Sequence, residues 1–277
     1  MKRIDAHQHF WKFHPVKDAW LTDEMMILKQ DFMPHDLQPI LKKNGVDGCI
    51  AVQSDQSLIE TQFLLDLAGD FSFIQGVVGW VDIQDEELDE QLDFFSHENK
   101  LKGFRHIVQG ESDPEFLLRP AFLSGIKKLH ERNFTYDLLI TYNQLSQAVR
   151  FADQLAEGQS VVIDHLAKPN ILEKEFDSWA AYMKKLSQHT NFYCKFSGLV
   201  TEAKWNSWTK EDFEPYINHI FDSFGAERII FGSDWPVCTL AADYSQIIEL
   251  VSSYVDKLSK SEQEMVWHKN AQTFYKL

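Results

Sequence analysis

The chain has 277 residues, 27 of them basic and 42 acidic, for a net charge of −15. So acidic a surface disfavours nucleic acid and anionic membranes as partners. With 44% hydrophobic and 25% charged residues, it is rich enough in apolar side chains to build a large core, so wholesale disorder is excluded.

In chain order, short β-rich runs recur, each followed by a stretch of helical periodicity. The runs are Arg3 to His7, Gly48 to Gln53, Ile74 to Trp80, Leu101 to His106, Phe134 to Ile140, Ser160 to Asp164, Phe192 to Phe196 and Arg228 to Gly232. Most are dense in Val, Ile and Phe with little alternation, as in strands covered on both faces of a parallel sheet. Between them, Leu58, Phe63, Leu64 and Leu67 recur at helical spacing, as do Leu145, Val149, Ala152 and Leu155. Pro34 and Asp212 stand where helices should begin, and Gly45, Gly69 and Gly225 where they should end. Strands alternating with helices along the whole length predict an α/β fold, a (β/α)8 TIM barrel, with residues 1–277 as one domain.

Two connections depart from the short βα loops of about 2 to 6 residues usual in such units. Phe10 to Met33 carries Trp11 and Trp20, and Leu199 to Lys210 carries Trp205 and Trp208. Both follow strands, so both are expected to rise on the catalytic face as lid or pocket wall. Cys49, Cys194 and Cys238 are far apart in sequence and are expected to be buried free thiols. The opening MKRIDAHQHFW holds no apolar signal core and no apolar run suits a membrane span, so a cytoplasmic protein is expected.

Active sites of such barrels lie at the C-terminal ends of the strands. Polar and titratable residues collect there: His7 and His9 on the first run, Gln53 on the second, Trp80 and Asp82 after the third. Arg105 and His106 end the fourth, Tyr136 lies in the fifth, His165 follows the sixth, Lys195 and Ser197 end the seventh, and Ser233 and Asp234 follow the eighth. Residues two apart on a strand share a face, so His7 and His9 can converge on the barrel axis, where paired imidazoles bind a divalent cation or polarise a carbonyl. Asp5 is expected on the same face one layer deeper, either orienting the histidines or as a structural carboxylate. Asp234, directly after an apolar strand and before Trp235-Pro236, is placed for catalysis.

The segments IDAHQHFW, AVQSDQ, VVGWVD, LKGFRH, TYDLLI, VIDHLAKP, CKFSGLVTEA and FGSDWPVC occur in this order from the first strand to the last. Together they resemble the amidohydrolase superfamily, and within it the sugar-lactone and 2-pyrone-4,6-dicarboxylate lactonase group. The resemblance implies a hydrolase that opens a cyclic ester with water activated by Asp234. His7, His9 and His165 then polarise the carbonyl directly, or through one divalent metal ion, zinc by preference, held by His7, His9, His165 and Asp234. A metal-independent site is the other form the group takes. Binuclear superfamily members carry a Lys on the fourth strand and a His on the fifth. Here those strands read Phe104-Arg105-His106 and Thr135-Tyr136-Asp137, so a binuclear centre is not expected.

Arg105 and His106 are further catalytic candidates. Trp11, Gln53, Trp80, Asp82, Tyr136 and Lys195 are candidates for binding substrate. The expected substrate is a neutral aldono-lactone such as L-fucono- or L-rhamnono-lactone. The alternatives are a pyrone dicarboxylate, bound by Arg105, Lys168 and Lys195 against the opposing charge of Asp55, Asp82 and Asp137, or an amidohydrolase or decarboxylase reaction on the same barrel. A small molecule is the expected partner, and the oligomeric state is left open.

Overall fold

The computed structural model describes residues 1–156 and 158–277. Eight parallel strands form one sheet in sequential order: β1 Ile4–Gln8, β2 Gly48–Val52, β3 Ile74–Gly79, β4 Leu101–His106, β5 Thr135–Leu138, β6 Val161–Ile163, β7 Phe192–Phe196 and β8 Ile229–Phe231. Each overlaps one of the runs read from the sequence. The helices packed around them are α1 Pro34–Lys43, α2 Leu58–Asp70, α3 Leu88–Phe94, α4 Pro120–Glu131, α5 Leu145–Ala152, α6 Asp177–Leu186, α7 Lys210–Phe224 and α8 Tyr244–Val255; α9 Lys260–Glu264 and α10 Asn270–Phe274 follow. This is the (β/α)8 barrel. No described helix is long and apolar enough to cross a membrane.

Helix ends follow local chemistry, with two adjustments to the expected boundaries. Pro34 opens α1, where its missing N–H is no loss. Asp212 does not open α7: it lies in the first turn and accepts from the Thr209 backbone N–H at 2.8 Å, so the helix starts two residues earlier. Gly69 lies inside the last turn of α2, which ends at Asp70. The three cysteines are buried free thiols, as expected.

Side-chain alternation along the strands divides the core in two. Outward-facing residues pack beneath the helices in the larger cluster. Inward-facing Ile4, Ala6, Ile50, Val52, Val78, Val162 and Ile230 fill the floor of the barrel, together with Ala271, Phe274 and Tyr275 from the chain's end. The lumen is a packed core, as in this fold generally. Above that floor the inward positions turn polar: His7, Arg105, Asp137, Asp164 and Lys195, all buried.

Closure is achieved by hydrogen bonds between β1 and the segment after β8. Asp234 N donates to His7 O and His9 N to Trp235 O, both at 2.7 Å. Asp5 seals the same seam: it accepts from the His7 N–H at 3.2 Å, from the Ser233 N–H and hydroxyl at 2.8 and 2.6 Å, and from the Tyr244 hydroxyl at 2.9 Å. This corrects the expectation that Asp5 shares a face with His7. Register between β1 and β2 shifts between Asp5 and Gln8, and the irregularity breaks the two-residue period. Ile4 and Ala6 face inward, Asp5 faces α8, and His7 and His9 face inward. Asp5 is the structural carboxylate of the two alternatives.

Truncating Asp5 leaves four buried donors without their acceptor. Asp5→Ala is therefore expected to lower unfolding stability by about 3 kcal/mol. A urea titration reads this directly, and an unchanged midpoint would show that the seam does not depend on the carboxylate.

Candidate active site

At the C-terminal mouth of the barrel, three imidazoles converge on one carboxylate oxygen. His9 Nε2 lies 3.4 Å from Asp234 Oδ1, His7 Nε2 3.8 Å and His165 Nε2 3.9 Å. The His7 ring is 5.0 Å from that of His9 and 4.4 Å from that of His165. His7 can approach the eighth strand because residue 232 is glycine: a Cβ there would fall 2.5 Å from the His7 Cβ.

The backbone at two of the four residues is unusual. Asp234 has φ +61, and His165 begins a run of left-handed residues through Lys168 with φ between +46 and +57. Each such non-glycine residue costs on the order of 1–2 kcal/mol, so tertiary contacts must hold it. The Trp179 indole donates to Leu166 O at 2.7 Å, and Lys168 N donates to His165 O at 2.8 Å. His165 Nδ1 bonds the Ser197 hydroxyl at 2.9 Å. Asp234 is gripped on both sides, by His7 O and by Cys238 N at 2.8 Å.

Below the histidines lies a buried charge cluster. Lys195 Nζ reaches Asp137 at 2.5 Å, and Asp164 Oδ1 and His7 Nδ1 at 3.0 Å each. Arg105 donates to Asp164 at 3.1 Å and to the Gln53 carbonyl, and its Nη1 lies 3.3 Å from His7 Nε2. The Tyr275 hydroxyl donates to Asp137 from the barrel floor. Burial and the Lys195 cation hold the His7 pKa well below the usual histidine range. Burial brings His165 down to about 4, overcoming the opposing pull of Asp234 and Asp164. Burial alone would raise Asp234, but the surrounding histidines outweigh it and hold the carboxyl below the usual carboxylate range. Near neutral pH, then, His7 and His165 are neutral imidazoles facing a carboxylate.

That arrangement fits a cation. The Val52 carbonyl can only accept, so His9 Nδ1, 2.8 Å away, carries a proton. In neutral His9 the Nε2 then presents a bare lone pair to Asp234 Oδ1. Two electron-rich atoms facing each other across 3.4 Å are stabilised by a positive charge between them. Donor atoms of a tetrahedral zinc site, with bonds of about 2.0–2.1 Å, sit roughly 3.3 Å apart, close to the observed spacings. Either His7, His9 and Asp234 or His7, Asp164 and His165 have ligand atoms near enough to share an ion. Lys195 and Arg105 already engage Asp164, so the group around Asp234 is the better donor set.

A cavity of about 360 Å³ opens over this cluster, the size of a small-molecule site. His9, Arg105, His165, Lys168 and Asp234 line its base, Ser54 and Gln109 its sides, and Trp11, Trp20, Ile107, Leu139 and Val237 give it apolar walls. The long loop after β1 forms part of the wall, as expected. Its ends are tied by a Trp11–Phe32 backbone pair at 3.0 and 2.9 Å, and the buried Trp11 indole donates to Gln30 O at 2.9 Å. Trp20 stands at the rim, 49% exposed.

Several sequence-predicted residues lie elsewhere, mostly because strand alternation turns the neighbour of an inward residue outward. His106 follows inward-facing Arg105, so it stacks on Phe116 at 4.7 Å and pairs with Glu111 at 2.7 Å. Tyr136 precedes inward-facing Asp137 and packs between Phe122 and Phe151 under the helices. Trp80 bonds Thr61 through its main chain, and Asp82 accepts from Gln84 N in a turn; neither lines the cavity. Gln53 and Lys195 do face the lumen but are sealed beneath the site: Gln53 supports Arg105, and Lys195 supports His7.

The second tryptophan loop is also corrected. Trp208 packs on Phe213 and bonds Ala241 O, Trp205 bonds Thr201 O, and neither reaches the cavity. Asp137 is paired with Lys195, and Asp55, which accepts from the Ser57 hydroxyl, does not line the cavity. Among the residues missed by the sequence analysis, Ser54, Ile107, Gln109 and Leu139 stand just past strand ends, and Val237 lies farther along the connection after β8. Placement after a strand was the signal for Ile107 and Gln109, while Ser54, Leu139 and Val237 also lie in the segments AVQSDQ, TYDLLI and FGSDWPVC.

Gly198 has φ +65, and a Cβ there would fall 2.3 Å from His165 Nδ1. Gly198→Ala is expected to displace the His165 ring and to lower stability by about 2 kcal/mol. A crystal structure and a urea titration of the variant test both parts; an unmoved ring with unchanged stability would contradict this role for the glycine.

Comparisons with known proteins place the chain in a family. A family model described as amidohydrolase matches residues 4–277. The chain is 35% identical over 286 residues to an L-fucono-1,5-lactonase of Burkholderia multivorans, covering 99% of this chain and 96% of that protein. It is 34% identical over 279 residues to an L-fucono-1,5-lactonase of Burkholderia ambifaria, with the same coverage. A crystal structure of an amidohydrolase from Burkholderia multivorans with bound zinc superposes with a TM-score of 0.95 at 35% identity, covering 100% of both chains. The strand-end histidines, the aspartate after β8 and the match along nearly the whole chain have one meaning: this protein belongs to the amidohydrolase family.

Proposed function

We propose that this chain hydrolyses a sugar lactone, an aldono-lactone of a six-carbon deoxy sugar such as L-fucono-1,5-lactone, to the open hydroxy acid. The observation that carries the reading is the convergence of His7, His9 and His165 on Asp234 Oδ1 at the base of a cavity walled by Trp11 and Trp20. The full-length similarity to proteins named L-fucono-1,5-lactonase supports it. Aromatic walls suit the C–H faces of a sugar ring and exclude water.

In the reaction, water adds to the lactone carbonyl carbon while the Asp234 carboxylate takes its proton. The bond to the ring oxygen then breaks, and the proton passes from Asp234 to the departing alkoxide. Charge developing on the carbonyl oxygen needs fixed donors. Arg105 and Lys168 line the cavity, where their N–H groups can meet that oxygen even though each is paired with a carboxylate. His7, His9, His165 and Asp234 are the residues that would hold a single divalent ion, zinc in this reading. When bound, such an ion polarises the carbonyl and brings the pKa of water down to about 7.

The site's cations argue for a neutral substrate over a pyrone dicarboxylate. Arg105 is committed to Asp164 at 3.1 Å, and Lys168 faces Glu202 at 3.8 Å. Lys195, which would have been a third cation for a dianion, is sealed below. The cavity therefore offers two carboxylates no uncommitted positive charge among the described residues.

Asp234→Asn removes the proton acceptor while keeping the shape of the side chain. It is expected to lower kcat on L-fucono-1,5-lactone at least about 1,000-fold, the scale of losing a general base, with little change in melting temperature. Near wild-type turnover by the purified variant would remove Asp234 from the mechanism. Zinc content after dialysis against excess metal is a second test. One ion per chain is expected, falling in His9→Ala, whereas two tightly held ions per chain would contradict the assignment of a single set of ligands.

A further inference from the structure

The polar side chains lining the cavity are almost all committed within the protein. His9 Nδ1 bonds Val52 O at 2.8 Å, and His165 bonds Ser197 at 2.9 Å. The Ser54 hydroxyl donates to Glu60 at 2.8 Å, Arg105 bonds Asp164, and Lys168 faces Glu202. The Arg105 Nε–H also lacks a partner, but its other two nitrogens are bonded; Gln109 is different. Its Oε1 is buried without any hydrogen-bond partner, and its amide nitrogen bonds no protein group among the described residues.

The backbone carrying Gln109 is, by contrast, tightly held. Ile107 N donates to Gln56 Oε1 at 2.7 Å, Gln144 Nε2 donates to Val108 O at 2.9 Å, and Gln109 N donates to Leu139 O at 3.0 Å. The turn from Val108 to Gly110 is thus tied to the connections after β2 and β5 and presents one unsatisfied amide. Leaving a buried carbonyl acceptor unpaired costs on the order of 1–3 kcal/mol. The Gln109 side chain supplies no hydrogen bond to the fold among the described residues.

We infer that Gln109 is a specificity-determining residue that reads the hydroxyl groups of the substrate. Resting on the lactonase reading above, the inference names the substrate class as polyhydroxylated lactones. A carboxamide pairs an acceptor with a donor on adjacent atoms, and two neighbouring hydroxyls on a sugar ring present the matching donor and acceptor. Turned so that its oxygen meets the cavity, the carboxamide accepts from one hydroxyl through Oε1 and donates its N–H to the oxygen of the next. A lactone without ring hydroxyls leaves the amide unpaired and is rejected for that reason, by the asymmetry that lets hydrogen-bonding sites discriminate against analogues lacking the partner group. Gln109 does no chemistry; the reacting atoms belong to the cluster around Asp234.

The test compares wild type with Gln109→Leu and the near-isosteric Gln109→Met on two substrates, L-fucono-1,5-lactone and δ-valerolactone, which has the ester ring but no hydroxyls. Both variants are expected to keep the wild-type melting temperature, since the side chain bonds nothing in the protein. On L-fucono-1,5-lactone kcat/KM should fall at least about tenfold, a loss of the size of one or two neutral hydrogen bonds. On δ-valerolactone it should stay level or rise, so that selectivity collapses. Equal losses on both substrates, or an unchanged preference for the hydroxylated one, would overturn the role of Gln109 while leaving the lactonase reading intact. If wild type opens neither ring, the lactonase reading fails and this inference fails with it.

Discussion

Two cations and two carboxylates are buried together in the lumen of the barrel, Lys195 and Arg105 against Asp137 and Asp164, with only Arg105 reaching the cavity. An unpaired charge there would cost several kcal/mol, and breaking such a pair typically costs about 3–5 kcal/mol. The four groups are therefore tolerable only together, and their mutual geometry dictates what surrounds them. Asp137 is closed from below by the hydroxyl of Tyr275, so the last residues of the chain are bound to the charge balance at its centre. Asp164 and Lys195 meet His7 from below, and Arg105 spans from Asp164 to the Gln53 carbonyl. The histidine cluster rests on this layer.

Charge compensation below explains the electrostatics above. With Lys195 and Arg105 matched by Asp137 and Asp164, the net charge nearest the cavity is that of Asp234. Its neighbours His7 and His165 are kept neutral by burial, so their ring nitrogens act as lone-pair donors or hydrogen-bonding groups. A carboxylate ringed by neutral imidazoles is a site for a cation, for a water about to lose a proton, or for both in turn. Left-handed backbone at Asp234 and from His165 to Lys168 is the strain that this aim requires. It sits where function concentrates strain, held by bonds from Trp179, Ser197 and β1.

The architecture separates stability from selectivity. The floor of the barrel and the helical shell are apolar and closed, and the seam at Asp5 joins the first strand to the last. Over the mouth, residues from the connections after β2, β4, β5, β6 and β8 and from the long loop after β1 line a single cavity. Change in those turns alters what the cavity admits without touching the charge layer. Gln109 shows the division most clearly, being rigidly mounted yet unpaired.

The sequence by itself determined the architecture and the chemical centre. Eight apolar runs alternating with helical segments can bury their strands in few ways other than a parallel barrel, and strand-end position alone put His7, His9, His165, Arg105 and Asp234 at one mouth. What it could not carry was facing. A side chain's direction depends on strand register, and one shift between Asp5 and Gln8 sent Asp5 to the seam instead of beneath His7. The same two-residue alternation turned His106 and Tyr136 toward the helices and left Trp80 and Asp82 off the cavity. Depth was equally hidden: Lys195 and Gln53 face the lumen but one layer too low to meet a substrate. Turn residues such as Ser54, Gln109 and Val237 carry no periodic signal at all. Only the closing of the barrel brings those turns together, because closure sets which turns face one another across the mouth.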